Sequence, residues 1–264
     1  MQIPKLIAHR GYSARYPENT LASLEAALEA GATYVEFDVQ MIADDDFILM
    51  HDADLQRSSG IKKSIFSLTS STVRHFQADY YSVFQTQFSG IKIPLLAHAI
   101  SLFNQFPEAV AIIEIKEECL AEFGVEHVMK HLLKQLSELK QACYIISFSY
   151  QAIDYVQQHS DYKTGYVLHK FNEEYYAQAE KLAPDLLVCN YRKLPELSST
   201  GELPAHTLWP GKWHWALYLI DNAELALSYA NNGIEFIETD HIGTLLQHQH
   251  LNSQVIKHNA LTTT

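Results

Sequence analysis

Residues 34–39 read Tyr-Val-Glu-Phe-Asp-Val, and residues 109–116 read Ala-Val-Ala-Ile-Ile-Glu-Ile-Lys. Both stretches are short, β-branched and apolar, as strands buried on two faces are. Each also carries carboxylates close to its C-terminal end. Apolar runs of the same kind recur at 5–9, 143–148, 164–168, 186–190, 215–220 and 236–239. Segments of helical period separate most of them, at 21–30, 123–139, 152–158, 173–182 and 222–232. In the second of these, Val125, Val128, Met129, Leu132, Leu133 and Leu136 fall on one face. Asn19 or Thr20 is placed to cap the first helix and Gly31 to stop it. Alternating strands and helices predict a parallel sheet, and eight principal strands in 264 residues predict an α/β fold of the closed (β/α)8 TIM-barrel type. The run at 47–50 is then an accessory strand. A doubly wound open sheet is the alternative.

Two regions interrupt this rhythm. Residues 53–92, after the second strand, hold Gly60, a Ser/Thr cluster from Ser67 to Thr72, and Phe76, Tyr80, Tyr81, Phe84 and Phe88. A segment this long without a clear period is expected to be a small insertion covering the site. Residues 191–214 are also irregular, with Pro195, Gly201, Pro204, Pro210 and Gly211. The expected organisation is one catalytic domain over residues 1–246, followed by a polar tail over 247–264 that frays.

Bulk chemistry excludes several classes of function. With a formal net charge of −12, the chain gains no counterion-release energy on nucleic acid and is repelled by anionic membranes. An acidic protein that handles an anionic substrate needs a local positive centre, such as a bound cation. Cys119, Cys143 and Cys189 are odd in number and lack CxxC spacing. They read as buried thiols of a reducing compartment. No stretch approaches a membrane span, and the start, MQIPKLIAHRG, is too short in apolar residues for a signal peptide. A cytoplasmic protein without membrane insertion is expected, with a homodimer left open.

The polar residues fall at strand ends, which is where barrels of this kind build their sites. The first strand runs into His9-Arg10-Gly11, and Arg10 is a guanidinium suited to gripping phosphate. Glu36 and Asp38 are two residues apart on a strand, so both face one side and Phe37 the other. Two carboxylates together in a barrel interior repel each other and lose hydration. A divalent cation with a preference for hard oxygen donors resolves this, and a salt bridge to Arg or Lys is the alternative. Glu114 and Lys116 share one face in the same way. They complete a three-carboxylate metal site and supply a phosphate-binding ammonium, or else form a plain Glu–Lys pair. His51-Asp52 adds a second imidazole, and two imidazoles can divide the work of base and acid.

His9-Arg10-Gly11, five residues, then Pro17-Glu18-Asn19-Thr20 resembles the signature of glycerophosphodiester phosphodiesterases. Gly31-Ala32, Glu36-Phe37-Asp38, His51-Asp52, Arg57, Gly60, Ile93-Pro94, Glu114-Ile115-Lys116 and Glu238-Thr239-Asp240 follow in the family's order. The resemblance spans nearly the whole chain and is densest over residues 7–60. It implies a barrel with an insertion after the second strand, metal ligands at Glu36, Asp38 and Glu114, and catalytic histidines at His9 and His51. It also implies phosphate contacts from Arg10 and Lys116, and Mg²⁺ or Ca²⁺ as the cofactor. Three departures bear on the alcohol-side pocket. They are Tyr218-Leu219-Ile220-Asp221 where Trp-Thr and Val-Asn or Val-Asp are usual, Ala97-His98 in place of an acidic pair, and His241-Ile242-Gly243 where a proline is usual.

The expected activity is metal-dependent hydrolysis of a small glycerophosphodiester to sn-glycerol 3-phosphate and an alcohol. A lysophospholipase D-like enzyme acting on lipids is one alternative, and a non-catalytic phosphate-binding module is another. Three further clusters read as structural. Trp209, Trp213 and Trp215 pack around a loop. Gln247-His248-Gln249-His250 belongs to the solvated tail. Asp44-Asp45-Asp46 forms a tight turn, since it lacks the Gly and distal Glu of an EF-hand.

Overall fold

The computed structural model describes residues 2–248, 250 and 251. In chain order the elements are β1 (Lys5–Ala8), α1 (Leu21–Glu29), β2 (Tyr34–Met41), β3 (Phe47–Leu49), α2 (Gln56–Ser59), α3 (Ser70–Val73), α4 (Tyr81–Phe84), α5 (Leu96–Phe103), β4 (Val110–Ile115), α6 (Glu117–Phe123), α7 (Val125–Leu136), β5 (Cys143–Ser147), α8 (Tyr150–His159), β6 (Lys163–Val167), α9 (Glu173–Leu182), β7 (Leu186–Asn190), β8 (His214–Tyr218), α10 (Ala223–Asn231), β9 (Phe236–Thr239) and α11 (Ile242–Gln247). Eight strands pair in parallel in the order β1-β9-β8-β7-β6-β5-β4-β2. A final parallel pairing of β1 with β2 closes the ring, which rules out the open sheet. The accessory strand β3 runs antiparallel to β2, with Met41 opposite Phe47.

The two-residue period of the strands sorts side chains into two shells. Leu6, Ala8, Val35, Phe37, Val39, Ala111, Ile113 and Ile115 point outward against the helices. Ile7, Ile112, Tyr144, Ile146, Val167, Leu186, Val188, Ala216 and Phe236 fill the barrel from within. That apolar plug closes the N-terminal half of the barrel. The inward positions above it, toward the C-terminal end, are Glu36, Asp38, Glu114 and Glu238. Register sets Asp38 opposite Glu114, and oxygens of Glu36 come within 4.8 Å both of this pair and of Glu238.

Several elements differ from the sequence expectation, each for a local reason. The helix expected over 123–139 forms as α7 and starts after Gly124, whose φ of +87° separates it from the short α6, which was not anticipated. α5 was not anticipated, although Leu96, Ala99, Ile100, Leu102 and Phe103 are buried at helical spacing with Ala97, His98 and Ser101 exposed, because it spans only eight residues. Thr20, not Asn19, caps α1, accepting from Ser23 N. The 53–92 segment contributes to a small core of its own with Leu55, Ile65, Leu68, Val73, Ala78 and Tyr80, seated on Ile48 and Met50 at β3. Trp213 and Trp215 are buried, and Trp209 stacks on Phe171 at 4.4 Å, so the tryptophans do pack around the loop. The three cysteines are buried free thiols. Of the expected tail, Leu251 is 1% exposed, while Gln249 and residues 252–264 lie outside the described residues. Among the described residues no helix is long and apolar enough to cross a membrane.

Gly165 marks how tightly the plug is filled. A Cβ there would lie 2.6 Å from Ile146 Cγ2 and 3.2 Å from Leu186 Cβ. Overpacking of this kind typically costs ~1–3 kcal/mol. Gly165→Ala is therefore expected to lower the urea midpoint with the m-value unchanged. An unshifted midpoint would show that the barrel interior yields around the added methyl.

Candidate active site

The loop after β1 is shaped by one glycine. Gly11 has φ +83°, and a Cβ on it would sit 2.5 Å from the Ser23 carbonyl carbon. Only glycine lets the loop lie this close to α1. Arg10 beside it is also left-handed, with φ 53°, a conformation rare for a non-glycine residue. That turn aims the Arg10 backbone N–H at Glu36 Oε2 (2.9 Å) and the side chain at two other carboxylates. Arg10 Nη1 donates to Glu18 Oε1 at 2.8 Å, and Nε lies 3.0 Å from Asp38 Oδ2 as an ion pair.

Asp38 is 1% exposed and Glu36 is 2% exposed. Asn19 grips Asp38 on two sides: its Nδ2 donates to Oδ2 (2.8 Å), and its Oδ1 accepts from Asp38 N (2.9 Å). Lys116 Nζ lies 3.4 Å from Asp38 Oδ1 and 2.6 Å from Glu114 Oε1. Glu36 is less well served, since its Oε1 is buried without a hydrogen-bond partner. Oxygens of Glu36, Asp38 and Glu114 lie within 4.8 Å of one another, and Glu36 and Glu238 form a second such group with His9.

Four carboxylates thus face two obligate cations, Arg10 and Lys116. If all four ionise, two negative charges remain. The proton equilibria follow this imbalance. Burial, with Asp38, Glu238 and Glu114 close by, holds the Glu36 carboxyl well above its ordinary range. Burial and Asp38 also raise Glu114, against the pull of Lys116. Burial pushes Glu238 up to about 7, with Glu114 and Asp38 opposing the stabilisation from His9 and Arg10. Asp38 alone is lowered: Arg10, Lys116 and the Asn19 hydrogen bond outweigh its burial. An unpartnered buried oxygen, a surplus of carboxylates and an all-oxygen donor set together fit a hard divalent cation.

Two histidines flank this acidic centre, each held by an aspartate. His9 Nδ1 lies 2.7 Å from Asp240 Oδ1, which also accepts from Ser13 Oγ at 2.7 Å. His51 Nδ1 lies 2.7 Å from Asp52 Oδ1. In both rings the bond fixes the tautomer and leaves Nε2 as the other nitrogen. Burial and Arg10 disfavour a charge on His9, but the Asp240 hydrogen bond and the charges of Glu238 and Asp240 prevail and raise its pKa. The insertion reaches the site through Arg57, which donates from Nε to Asp52 Oδ2 (2.7 Å) and from Nη2 to Glu18 Oε1 (2.8 Å). An unbroken relay therefore runs from Arg10 through Glu18, Arg57 and Asp52 to His51.

All seven residues singled out in the sequence (His9, Arg10, Glu36, Asp38, His51, Glu114 and Lys116) converge here. His9, Arg10, His51, Glu114, Lys116 and Glu238 line a cavity of about 200 Å³, with Phe148, Val167, Val188 and Tyr218 as its apolar wall. Glu36 and Asp38 lie beneath it. The motif residues Glu238, Glu18, Asp52 and Asp240 carry no role in the sequence reading, and Asn19, read there as a possible helix cap, instead holds Asp38. The alternating pattern of β9 was the one available signal, because it puts Glu238 on the same face as the inward residue Phe236.

A model of the glycerophosphoryl diester phosphodiesterase family matches residues 9–202. The chain belongs to that family. A Bacillus altitudinis glycerophosphodiester phosphodiesterase is 28% identical over 149 residues, which is 56% of this chain and 60% of the relative. The human glycerophosphodiester phosphodiesterase 1 is 36% identical over 95 residues, 36% of this chain and 29% of the relative. The matched region thus spans less than two thirds of each of these two relatives. Among solved structures, an Oleispira antarctica phosphodiesterase in complex with the product sn-glycerol-3-phosphate superposes with a TM-score of 0.81 at 23% identity. That match covers 95% of this chain and 98% of the other. The family's fold is the barrel described above.

The raised carboxyls have a consequence for stability. Between the ordinary glutamate pKa of 4.5 and about 7, the unfolded chain has released the Glu238 proton while the folded chain keeps it. The folded state binds more protons, so stability falls as pH rises through that window. Glu36 and Glu114 act in the same direction, and His9 adds to the fall above its ordinary 6.5. Melting of the chelated protein is expected to drop between pH 5 and pH 7.5, and added Mg²⁺ or Ca²⁺ to reverse most of the drop. A chelated protein that gains stability over this range would contradict the charge balance.

Proposed function

We propose that the chain hydrolyses small glycerophosphodiesters to sn-glycerol 3-phosphate and an alcohol. The observation that carries this reading is the pair of aspartate-held histidines on a cavity whose wall also holds Arg10, Lys116, Glu114 and Glu238, with Glu36 and Asp38 beneath it. Glu36, Asp38 and Glu114 would hold one divalent cation, Mg²⁺ or Ca²⁺, with Glu238 beside them. That cation would supply positive charge against the phosphate oxygens as negative charge grows in the transition state.

The chain's own groups divide the remaining work. Lys116 and the Arg10 guanidinium present positive charge to the phosphate; Arg10 has its Nε and Nη1 committed to Asp38 and Glu18, so Nη2 is the nitrogen left for substrate. His51 is the general base, removing a proton from the nucleophile, either water or the glycerol 2-hydroxyl. His9 is the general acid, because Asp240 and Glu238 favour its imidazolium form. As the phosphorus–oxygen bond to the alcohol breaks, the His9 Nε2 proton passes to the departing oxygen. Asp52 and Asp240 keep each ring oriented through Nδ1, and Asn19 keeps Asp38 in place.

The cavity size favours a small substrate over a lysophospholipid, since about 200 Å³ suits a glycerol phosphate and would leave an acyl chain outside. Three buried free thiols support a reducing, cytoplasmic setting.

His9→Ala and His51→Ala are each expected to reduce kcat by ~10²–10⁴-fold. On a p-nitrophenyl phosphodiester, whose leaving group needs no proton, His9→Ala is expected to recover most of its loss and His51→Ala none. Recovery of both variants, or of neither, would overturn the division of roles. Exhaustive chelation is expected to abolish hydrolysis of glycerophosphocholine, with restoration by Mg²⁺ or Ca²⁺. Activity that survives chelation, or turnover faster on lysophosphatidylcholine, would count against this substrate and cofactor assignment.

A further inference from the structure

The turn between β2 and β3 carries Asp44, Asp45 and Asp46, none of which lines the active-site cavity. Two of them have structural partners. Asp44 Oδ2 accepts from Ser70 N and Ser70 Oγ at the start of α3 (2.9 and 2.7 Å). Asp46 Oδ1 accepts from Phe47 N (2.8 Å) and from Gln135 Nε2 of α7 (3.2 Å). These bonds fix the turn against α3 and α7 and leave Asp45 projecting between them. Asp45 has φ 64°, a left-handed conformation that aspartate tolerates better than most residues.

Facing Asp45 are His127 and His131, four residues apart and so on one face of α7, with ring centroids 4.4 Å apart. His127 Nε2 lies 2.7 Å from Asp45 Oδ1, and His131 Nε2 lies 3.8 Å from Asp45 Oδ2. His131 Nδ1 lies 2.8 Å from the His127 carbonyl oxygen. A carbonyl only accepts, so Nδ1 carries the hydrogen, and in the neutral ring Nε2 holds the lone pair. Backbone anchoring of one imidazole nitrogen is the usual way a metal-binding histidine is oriented through the other.

We propose that Asp45, His127 and His131 form a second divalent-cation site, one that takes a borderline transition metal such as Zn²⁺. One ligand atom from each of the three residues falls within 4.8 Å of the other two. In a tetrahedral shell with bonds of about 2.1 Å, neighbouring ligand atoms are about 3.4 Å apart. The two imidazole–carboxylate distances here bracket that value, so closing the shell needs only small side-chain movements. The cation replaces the proton now shared between His127 Nε2 and Asp45, and that proton leaves to solvent. Two imidazoles and one carboxylate select Zn²⁺, Co²⁺ or Ni²⁺ over Mg²⁺ and Ca²⁺. The carboxylate cluster in the barrel has the opposite preference. The adjoining groove sets Asp44, Asp46 and Glu138 against Lys134, so the local charge also favours a cation. All three ligands are solvent-accessible, at 48% for Asp45, 45% for His127 and 31% for His131, which leaves water to fill the fourth position. The proposal stands apart from the phosphodiesterase reading.

The test is calorimetric titration of Zn²⁺ into the full chain at pH 7.5 in excess Mg²⁺, for the wild type, His131→Ala, Asp45→Asn, Glu114→Gln and the control His159→Ala. Circular dichroism checks that each variant is folded. His131→Ala and Asp45→Asn are each expected to weaken one Zn²⁺ binding event at least as much as the roughly 10–100-fold that loss of an outer-shell partner costs. Glu114→Gln and His159→Ala are expected to leave that event unchanged. Wild-type binding in both His131→Ala and Asp45→Asn would overturn the proposal. So would a wild type whose only Zn²⁺ binding disappears with Glu114→Gln.

Discussion

Glu36, Asp38, Glu114 and Glu238 converge at the mouth of a closed barrel, with only Arg10 and Lys116 as obligate positive charges among them. Burying ionised groups without compensation is strongly unfavourable. Much of the local structure can be understood as partial compensation for that crowding. Arg10 takes up a left-handed conformation and so delivers both a backbone N–H to Glu36 and a guanidinium to Asp38. Asn19 is buried in order to hold Asp38 from two directions. Lys116 lies between Glu114 and Asp38. Even so, Glu36 Oε1 is left without a partner, and three of the four carboxyls are pushed toward their protonated forms. A hard divalent cation would fit the conflict that the chain itself leaves standing.

The barrel makes this arrangement rigid. Its two-residue alternation sets an apolar plug of Ile7, Ile112, Ile146, Val188 and Phe236 beneath the acidic layer. Parallel register then fixes which carboxylates face one another. The histidines come from loops beyond the strands, and each is oriented by an aspartate outside the acidic layer. His51 depends further on the insertion, since Arg57 couples Asp52 to Glu18 and, through it, to Arg10. His51 and Arg10 therefore share one hydrogen-bonded frame that runs through Asp52, Arg57 and Glu18.

The barrel was legible in the sequence because eight apolar runs of strand length are separated by helical periods. The seven site residues were legible because polar groups stand out at the ends of such runs. What escaped reading escaped for physical reasons. α6 has only seven residues and ends at Gly124, whose left-handed backbone separates it from α7. α5 has a helical period but only eight residues in which to show it. Glu238 sits in a four-residue strand where alternation is too brief to count. Asn19 looks like a helix cap in sequence, and only the fold shows its side chain turned onto Asp38 while Thr20 takes the cap. The Asp45–His127–His131 grouping joins residues 82 positions apart, and no local pattern announces such a contact.

Glu36→Gln tests the central electrostatic claim most directly. Replacing this carboxyl by a neutral isostere removes a buried group that is costly to ionise and one candidate cation ligand together. Thermal melts of wild type and variant at pH 7.5, each with chelator and with saturating Mg²⁺ or Ca²⁺, separate the two effects. The expected result is a chelated variant that melts above the chelated wild type but gains little on adding the cation, whereas the wild type gains clearly. A variant that melts lower in chelator and keeps the full cation-induced shift would show that the carboxylate cluster is balanced within the chain and is not built around a metal ion.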